Sequence, residues 1–322
     1  MAEHSIIIDT DPGIDDAMAI FYALASPEIE VLGLTTVFGN VDVDLATENA
    51  LRLVEIAGRS DVPVARGAAR SLTVPFPGGV EFVHGADGQG NASLAPPRGA
   101  PSTRRATELI IDTVMSRPGE VTLVTLGPLT NVALALIERP EIASSVRGVI
   151  AMGGNVHVGG NASTAAEANI LNDPEAADIV FSAPWPVTIC GLDVTHRILM
   201  TPDDLERAYR VDSPVGRHLA RIVPFYHAFY EKHVGSNGIY VHDSTTISYL
   251  LHPDAFVTES HRLLVDTGSG VGRGKTWPVA TRDEAGRVAG SVTRPEITVC
   301  VDADARRVVE AEIAALERAA DS

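Results

Sequence analysis

The segment between Ile6 and Leu24 limits the possible folds of this chain more than any other. Three consecutive isoleucines, residues 6–8, predict a short strand that is buried on both faces. Four aspartates follow within eight residues, interrupted by the turn signal Pro12–Gly13. Apolar residues then recur at helical spacing as far as Leu24. The acids therefore lie where a buried strand ends and a helix begins.

The crowding of these acids, Asp9, Asp11, Asp15 and Asp16, allows two interpretations. Closely spaced carboxylates repel one another, and a hard divalent cation would hold them together because it binds several carboxylate oxygens at once. Alternatively, Asp15 or Asp16 caps the helix and the other acids form a solvated turn. The spacing favours metal binding and leaves the capping interpretation open.

Composition restricts the class of protein and its partners. The chain has 322 residues, 45% of them hydrophobic, which is enough for a large core. A net charge of −17 argues against binding to nucleic acid or to an anionic membrane, but not against a small neutral substrate. Only two cysteines, far apart, are typical of a reducing compartment. Because neither a signal peptide nor a membrane span is recognised, we expect a cytoplasmic protein.

Strand and helix patterns alternate along the chain, with no internal repeat and no linker between domains. This alternation predicts an α/β fold in which residues 1–322 form a single domain, with an open, mostly parallel sheet and helices on both faces. Residues 75–101 and 153–161 are rich in glycine and predict loops. The predicted strands are 6–8, 30–36, 62–65, 121–126, 146–152, 186–190, 262–265 and 296–301. The predicted helices are 43–57, 103–116, 129–137, 174–182, 202–209, 214–234 and 303–319.

Polar residues follow several of the predicted strands. In parallel sheets, ligands bind beyond the carboxyl ends of the strands, so these residues are expected to share one crevice. They are Asp9, Asp11, Asn40, Asn155 and Asp193, with Leu126 at the end of the central strand.

Three further motifs are ambiguous when taken alone. His242 beside Asp243 fits an acid next to a metal-bound carboxylate, or a helix start in which Asp243 is the N-cap. The segment 167–169 fits a polyol-binding site or a polar loop edge. Residues 269–276 nearly match a phosphate-binding loop, but the first position is serine and Trp277–Pro278 follow in place of a helix. Nucleoside triphosphate binding is therefore not expected there.

Taken together, these segments resemble the nucleoside hydrolase family of the inosine–uridine preferring type. Residues 9–17 resemble the family signature, and the similarity continues in order over roughly residues 5 to 302. The resemblance implies the Rossmann-like fold of that family, hydrolysis of the N-glycosidic bond of ribonucleosides, and a tightly bound calcium ion. The other matching segments are 35–40, 127–131, 152–155, 167–170, 173–176, 191–195 and 241–243.

The resemblance also implies a role for each matching residue at the sugar end of the site. The implied calcium ligands are the carboxylates of Asp11, Asp16 and Asp243 and the main-chain carbonyl of Leu126. Asp9 would support them from behind. The residues implied to hold the ribose hydroxyls are Asp15, Asn40, Asn161, Glu167 and Asn169.

At the base end, the resemblance implies that His84 and His242 lie near the base. The helix implied to pack over the base carries Phe225, Tyr226, Phe229 and Tyr230. The purine-specific branch of the family stacks its base on tryptophans, but residues 75–101 contain none and Trp185 and Trp277 lie outside the matching regions. The resemblance therefore implies broad or pyrimidine-tolerant specificity.

Breaking a ribosyl–base bond needs a nucleophile, stabilisation of a cationic sugar and assistance to the leaving base. We expect a calcium-bound water to be the nucleophile, Asp11 to accept its proton and His242 to protonate the base. The resemblance implies homodimers or homotetramers. Two alternatives remain at this point: a haloacid-dehalogenase-like phosphohydrolase with Asp9 as nucleophile and magnesium, and a nucleoside- or ribose-binding module without turnover.

Overall fold

The computed structural model describes residues 2–210, 212–279 and 294–320. Its main sheet has eight strands in the order β3-β2-β1-β4-β5-β6-β12-β9, and all neighbours are parallel except β12 and β9. Two small antiparallel pairs, β7–β8 and β10–β11, lie outside it. The strands are β1 His4–Thr10, β2 Ile29–Thr36, β3 Val64–Arg66, β4 Val121–Thr125, β5 Gly148–Met152, β6 Val187–Cys190, β7 Leu199–Met200, β8 Ile239–Tyr240, β9 Phe256–His261, β10 Leu263–Val265, β11 Thr276–Pro278 and β12 Ile297–Ala303.

Helices cover both faces of this sheet. A single π-helical turn, Tyr230–Val234, continues α11, and a 3₁₀ turn, Pro253–Ala255, precedes β9. The helices are α1 Ile14–Ala25, α2 Val43–Ile56, α3 Glu81–His84, α4 Ala106–Ser116, α5 Thr130–Glu138, α6 Ile142–Ser145, α7 Ala168–Asn172, α8 Pro174–Ser182, α9 Leu192–Thr195, α10 Pro202–Arg210, α11 Pro214–Phe229, α12 Ser244–Leu251 and α13 Ala305–Ala320.

The three isoleucines of β1 explain why the sheet has a core on each face. Successive side chains of a strand point in opposite directions. Ile6 and Ile8 accordingly pack with residues of α1, α12 and α13 on one face, and Ile7 packs with residues of α4, α5 and α8 on the other. The predicted α/β fold with helices on both faces is thereby confirmed.

The strand order creates a crevice at the carboxyl ends of β1 and β4. From β1 the chain builds outward through β2 and β3, and then returns to place β4 on the opposite side of β1. In open parallel sheets, ligands bind at such a reversal, because the two following loops separate there. The residues that follow Thr10 and Thr125 therefore border the crevice.

The structure adds three details to the elements predicted from the sequence. Residues 262–265 do form a strand, but it pairs with β11 outside the main sheet. The edge strand of the main sheet is β9, which was not predicted because its exposed side chains lack an apolar alternation. The loop predicted over 75–101 contains one helical turn, α3. Among the described residues, no helix is long and apolar enough to cross a membrane.

Candidate active site

A cavity of about 550 Å³ opens at the crevice, between the strand ends and the C-terminal end of α11. All eight residues predicted to contact substrate line it, and so do Leu126, His242 and Asp243. Asp11 and Asp16 lie beneath its surface and are completely buried. Within the described part of the chain, no lysine or arginine lines the cavity. The predicted substrate-contact residues that line it are Asp15, Asn40, His84, Asn161, Glu167, Asn169, Tyr226 and Tyr230.

Asp11 is clamped between two glycines. A Cβ atom on Gly39 or on Gly127 would collide with the carboxylate of Asp11. Only glycine at these two positions lets the main chain approach Asp11 so closely. Its Oδ2 accepts a hydrogen bond of 2.6 Å from the main-chain N–H of Asn40. Its Oδ1 is buried and has no hydrogen-bond partner among the residues that the structure describes. One oxygen of Asp11 is therefore left for a ligand.

Asp16 both helps to cap a helix and belongs to the acidic cluster, whereas Asp9 and Asp11 are buried, so the solvated turn of the capping interpretation is wrong. Its Oδ2 accepts the N–H of Gly13 at the start of α1 and the side-chain amide of Asn40, each at 3.0 Å. Its Oδ1 accepts the Thr10 hydroxyl at 2.5 Å. Asp15 is held differently, since its Oδ2 accepts the hydroxyl of Tyr226 at 2.9 Å and its Oδ1 has no partner.

Asp243 completes the cluster from a distant part of the sequence. It is the N-cap residue of α12, as the helix-start interpretation has it, but its side chain makes no capping hydrogen bond within the described chain and lines the cavity instead. One oxygen each from Asp15, Asp16 and Asp243 lie within 4.8 Å of one another. The resemblance had implied Asp11, Asp16 and Asp243 as the carboxylate ligands, whereas the tightest group of three contains Asp15.

The electrostatics of this cluster fit a bound cation. Burial raises the pKa of Asp11, Asp15, Asp16 and Asp243, and neighbouring aspartates raise those of Asp11, Asp16 and Asp243 further. Four buried acids are costly when ionised, because the described residues give them no charged basic partner: His84, 3.9 Å from Asp15, is neutral. A hard divalent ion removes that cost and takes oxygen ligands only, which matches the donors present.

Asn169 and Glu167 are both oriented by hydrogen bonds with the main chain. Asn169 donates through Nδ2 to the carbonyls of Leu126, at 2.6 Å, and Met152, at 3.2 Å, so its amide oxygen is left for a hydroxyl donor. The Leu126 carbonyl thus already accepts one hydrogen bond and retains a second lone pair. Glu167 is the N-cap of α7, and its carboxylate accepts three main-chain N–H groups. Both residues are therefore rigidly placed at the cavity wall.

Asn161 and Asp9 are also held in place by hydrogen bonds to other residues. Asn161 accepts the N–H of Ala168 at 3.0 Å through Oδ1. Asp9 lies behind the cavity and accepts the hydroxyl of Thr35 at 2.5 Å and the amide of Asn131 at 2.7 Å. Burial raises the pKa of Asp9 to about 7. These contacts join β1, β2 and α5 directly behind the acidic cluster.

A row of hydrogen-bonded side chains crosses the cavity from the acids to His242. Tyr226 donates to Asp15, the hydroxyls of Tyr226 and Tyr230 are 3.4 Å apart, and Tyr230 lies 2.9 Å from Nε2 of His242. The other ring nitrogen of His242 lies 2.9 Å from the Thr195 hydroxyl. Burial lowers the pKa of His242 to about 3, so its ring is neutral, which differs from the expectation of an imidazolium near neutral pH.

His84 is also neutral and points into the base end. Its Nδ1 accepts the main-chain N–H of Ile14 at 3.2 Å, which leaves the ring proton on Nε2. Burial lowers its pKa to about 4. The ring stacks on Tyr226 with centroids 5.4 Å apart. Of the four aromatics predicted on α11 and its extension, Tyr226, Phe229 and Tyr230 line the cavity and Phe225 does not.

Sequence reasoning missed three aromatic residues of the base end: His196, His233 and Tyr240. His196 lies against Tyr240 and His242, with ring centroids 4.9 Å and 5.7 Å away. His233 lies in the π-helical turn that continues α11, at helical spacing from Phe229, so the helix pattern could have indicated it. His196 follows α9 and Tyr240 is on β8, and no periodicity or motif marks these two positions in the sequence.

Two predicted crevice residues lie elsewhere. Asp193 accepts the N–H groups of Val156 and His157, and Asn155 donates to the carbonyls of Val158 and Ala165. Neither lines the cavity, so both shape the loop that follows β5. The segment resembling a phosphate loop also serves this loop, because Nζ of its lysine, Lys275, donates to three of the loop's carbonyls.

The fold, the buried acids and the aromatic wall together define an enzyme that recognises a polar sugar next to a flat apolar group. The family model of the inosine–uridine preferring nucleoside hydrolases matches residues 6–310. The chain belongs to this family, whose members hydrolyse the N-glycosidic bond of ribonucleosides. The family assignment predicted from the sequence is confirmed, and the phosphohydrolase and non-enzymatic alternatives are wrong.

Individual relatives agree with this assignment. The chain is 42% identical over 306 residues to the probable uridine nucleosidase 2 of Arabidopsis thaliana, covering 95% of each sequence. It is 40% identical over 267 residues to the pyrimidine-specific ribonucleoside hydrolase RihA of Shewanella woodyi, covering 81% of this chain and 84% of the relative. The solved structure of the plant nucleoside hydrolase PpNRh1 superposes with a TM-score of 0.94 at 39% identity, covering 98% of this chain and 99% of that one.

Proposed function

We propose that this enzyme uses bound calcium to hydrolyse ribonucleosides and that uridine and other pyrimidine ribonucleosides are good substrates. One observation carries the proposal. A single cavity holds buried carboxylates at one end, with no lysine or arginine among its described lining residues, and aromatic and imidazole side chains at the other end. The first end suits a metal and a polyhydroxylated sugar, and the second suits a planar base.

Calcium would be held by Asp16 and Asp243, by Asp11 or Asp15, and by the carbonyl of Leu126. When bound, it would lower the pKa of a water molecule and orient the ribose hydroxyls. The main chain holds Asp11 and Asp16 at the strand ends through the hydrogen bonds described above, so these ligands are positioned before the ion arrives. Preorganised ligands lose little conformational freedom on binding.

Asp11 would act as the general base. Its Oδ1 has no hydrogen-bond partner in the described part of the chain and can accept a proton from the attacking water. The ribose hydroxyls would be held by the side chains that line the acidic end, and these carboxylates would offset the positive charge that develops on the sugar. Attack on the side opposite the base predicts inversion at the anomeric carbon, as in inverting glycosidases.

His242 would stabilise the leaving base. Because its ring is neutral, it acts first as a hydrogen-bond donor, and Tyr230 at 2.9 Å fixes its orientation and completes the link towards Asp15. Negative charge accumulates on the base as the glycosidic bond breaks, so donors aimed at the base lower the barrier. His242 would therefore act on the leaving base, as predicted from the sequence, but as a neutral imidazole and not as an imidazolium.

Preference for pyrimidines rests on the walls of the base end. Neither tryptophan of the chain reaches it: Trp185 is buried in the core beside α8, and Trp277 is on β11. Phe82, Phe229 and Tyr230 provide smaller stacking surfaces in their place. The relatives named for uridine or pyrimidine substrates support this assignment. The single domain of residues 1–322, the homodimer or homotetramer and the cytoplasmic location stay predictions.

The test is a panel of ribonucleosides scored for free ribose, before and after calcium is removed with a chelator. We expect uridine to be hydrolysed at least as efficiently as inosine, activity to be lost with the chelator, and calcium alone to restore it. Metal analysis should find one calcium per chain. Full activity of the metal-free protein, or restoration by zinc and not by calcium, would contradict the proposed cofactor.

A further inference from the structure

A second cluster of potential metal ligands lies outside the cavity, at the edge of the main sheet. His157 belongs to the loop after β5, and Glu259 and His261 are on the edge strand β9. Glu259 Oε2 is 2.9 Å from Nε2 of His157 and 2.6 Å from Nε2 of His261. Their ligand atoms all lie within 4.8 Å of one another. Two imidazole nitrogens and one carboxylate oxygen therefore converge on one point.

The three residues come together through the fold and not through local sequence. Glu259 and His261 are two positions apart on β9, so their side chains leave the same face of the strand. His157 is 102 residues away from Glu259. The imidazole rings of His157 and His261 meet edge to face, with centroids 5.5 Å apart. Such convergence from separate elements is what a metal site requires.

The loop that carries His157 is held firmly. The carboxylate of Asp193 accepts the N–H groups of Val156 and His157 at 2.6 Å and 2.7 Å. Nζ of Lys275 donates to the carbonyls on both sides, those of Asn155 at 2.7 Å and Val158 at 2.9 Å. The main chain of His157 is therefore fixed before any ligand binds, which reduces the entropy lost on binding.

We propose that His157, Glu259 and His261 bind a zinc-class divalent ion that joins the edge strand to the loop bordering the substrate cavity. Imidazole and carboxylate ligands in a two-to-one ratio suit zinc, whereas calcium takes oxygen ligands. In a tetrahedral zinc site, neighbouring ligand atoms are about 3.4 Å apart, as follows from metal–ligand distances of about 2.1 Å. The present contacts of 2.6 Å and 2.9 Å reach that spacing through small side-chain rotations.

The site is accessible to an ion from solvent. The side chains of His157 and Glu259 are 48% and 45% exposed, and that of His261 is 25% exposed. Solvent supplies the fourth ligand. Because the same loop continues to Asn161, which lines the cavity, the ion fixes one border of the substrate site without contacting the substrate. This inference does not depend on the proposed calcium mechanism.

The experiment is calorimetric titration of zinc into the full chain in saturating calcium, so that the acidic cluster is occupied. We expect one zinc per chain in the wild-type protein, and a rise in melting temperature when zinc is added. The double variant H157N/H261N should lose this binding, and E259Q should weaken it by about tenfold or more. Cobalt should give the visible absorption of a tetrahedral site in the wild-type protein only.

Two matched variants serve as controls. E296Q changes another exposed carboxylate near this sheet edge, one that pairs with Arg262. H252N changes a histidine outside the cluster. Both should bind zinc as the wild type does. The proposal is overturned if the wild-type protein binds no zinc, or if H157N/H261N binds it with unchanged stoichiometry and affinity. Melting curves without zinc establish that each variant is folded, since all three ligand side chains are partly exposed.

Discussion

The two ends of the substrate cavity are held in different ways. At the acidic end, main-chain groups fix the side chains: Asp11 accepts the N–H of Asn40, and Glu167 accepts three N–H groups. At the base end, side chains fix one another: His84 stacks on Tyr226, and Phe82 lies 5.9 Å from the ring of Phe229. The acidic end is thus part of the sheet framework, whereas the base end is an assembly of side chains.

Burial separates the rim of the base end from the rest of the cavity, in which Tyr226, Tyr230 and His84 are buried as the acids are. Asp11 is completely buried, whereas Phe82 is 66% exposed. A substitution at a strand end would disturb neighbouring main-chain hydrogen bonds, but a substitution on α3 or at the end of α11 would leave the sheet intact. The reaction and the choice of base are therefore separable in this fold, and substrates and variants should show effects of very different size at the two ends.

The largest effect should come from removing the substrate's 2′-hydroxyl. The acidic end presents carboxylate and amide oxygens to the sugar, and a site built to bind a hydroxyl rejects an analogue without it by about 10⁴ to 10⁵-fold. We expect kcat/KM for 2′-deoxyuridine to be lower than for uridine by this amount. Uridine and inosine should differ much less from each other. Similar efficiencies for uridine and 2′-deoxyuridine would show that the acidic end does not grip the ribose.

Substitution of the proposed base should be the next largest effect. Asp11→Ala should lower kcat/KM by about 10⁴-fold, because it removes a proton acceptor next to the metal. The variant should remain folded, since it also removes one of several buried, mutually repelling carboxylates. Activity with uridine and the melting temperature are the measurements.

A buried aspartate outside the cavity provides the control for Asp11. Asp204 is 3% exposed and pairs with Arg306. Asp204→Asn should reduce the melting temperature and leave kcat/KM close to that of the wild type. If Asp11→Ala instead keeps wild-type activity, the assignment of the general base is wrong.

This division also explains how much could be predicted from the sequence. The acids of β1 and α1 are adjacent along the chain, and the strand-end rule places Asn40 and Leu126 beside them, so most of the acidic end was predictable. Asn155 and Asp193 obey the same rule but turn towards a neighbouring loop, because hydrogen bonds to that loop satisfy them.

The base end depends on side-chain packing between distant segments, and sequence pattern carries little of that information. The i, i+4 spacing of Tyr226 and Tyr230 places both on one face of the helix. It does not show whether that face points towards the cavity. His196 reaches the cavity only because α9 follows β6 there. The edge strand β9 was missed for a related reason, since its exposed residues have no apolar period.

A moderate effect that depends on the leaving group should follow from changes at His242. His242→Ala should lower kcat/KM for uridine by about 10² to 10³-fold, within the range for groups that assist a leaving group. A nitrophenyl riboside, whose leaving group needs no assistance, should lose much less. Parallel assays of the two substrates make the measurement.

Tyr230→Phe is the matched variant for His242. It removes the hydroxyl at 2.9 Å from the ring and keeps the aromatic surface. We expect it to show the same leaving-group dependence as His242→Ala with a smaller loss of kcat/KM, because the His242 ring remains but loses the hydroxyl that orients it. Equal losses on both substrates in either variant would make these residues binding groups for the nucleoside and not assistants of the leaving base.

The smallest effect is expected at the rim of the base end. Phe82→Ala removes a ring that is 66% exposed and contacts Phe229, so only part of its surface can contribute to binding. Aromatic pairs contribute about 0.5 to 1.5 kcal/mol, which corresponds to a rise in KM of about 2 to 10-fold. kcat should not change, because the ring would contact the base equally before and during bond cleavage. Trp277→Ala, at a 49% exposed aromatic outside the cavity, is the control and should leave KM unchanged. A large loss of kcat in Phe82→Ala would show that the rim takes part in the reaction and that the two ends are not separable.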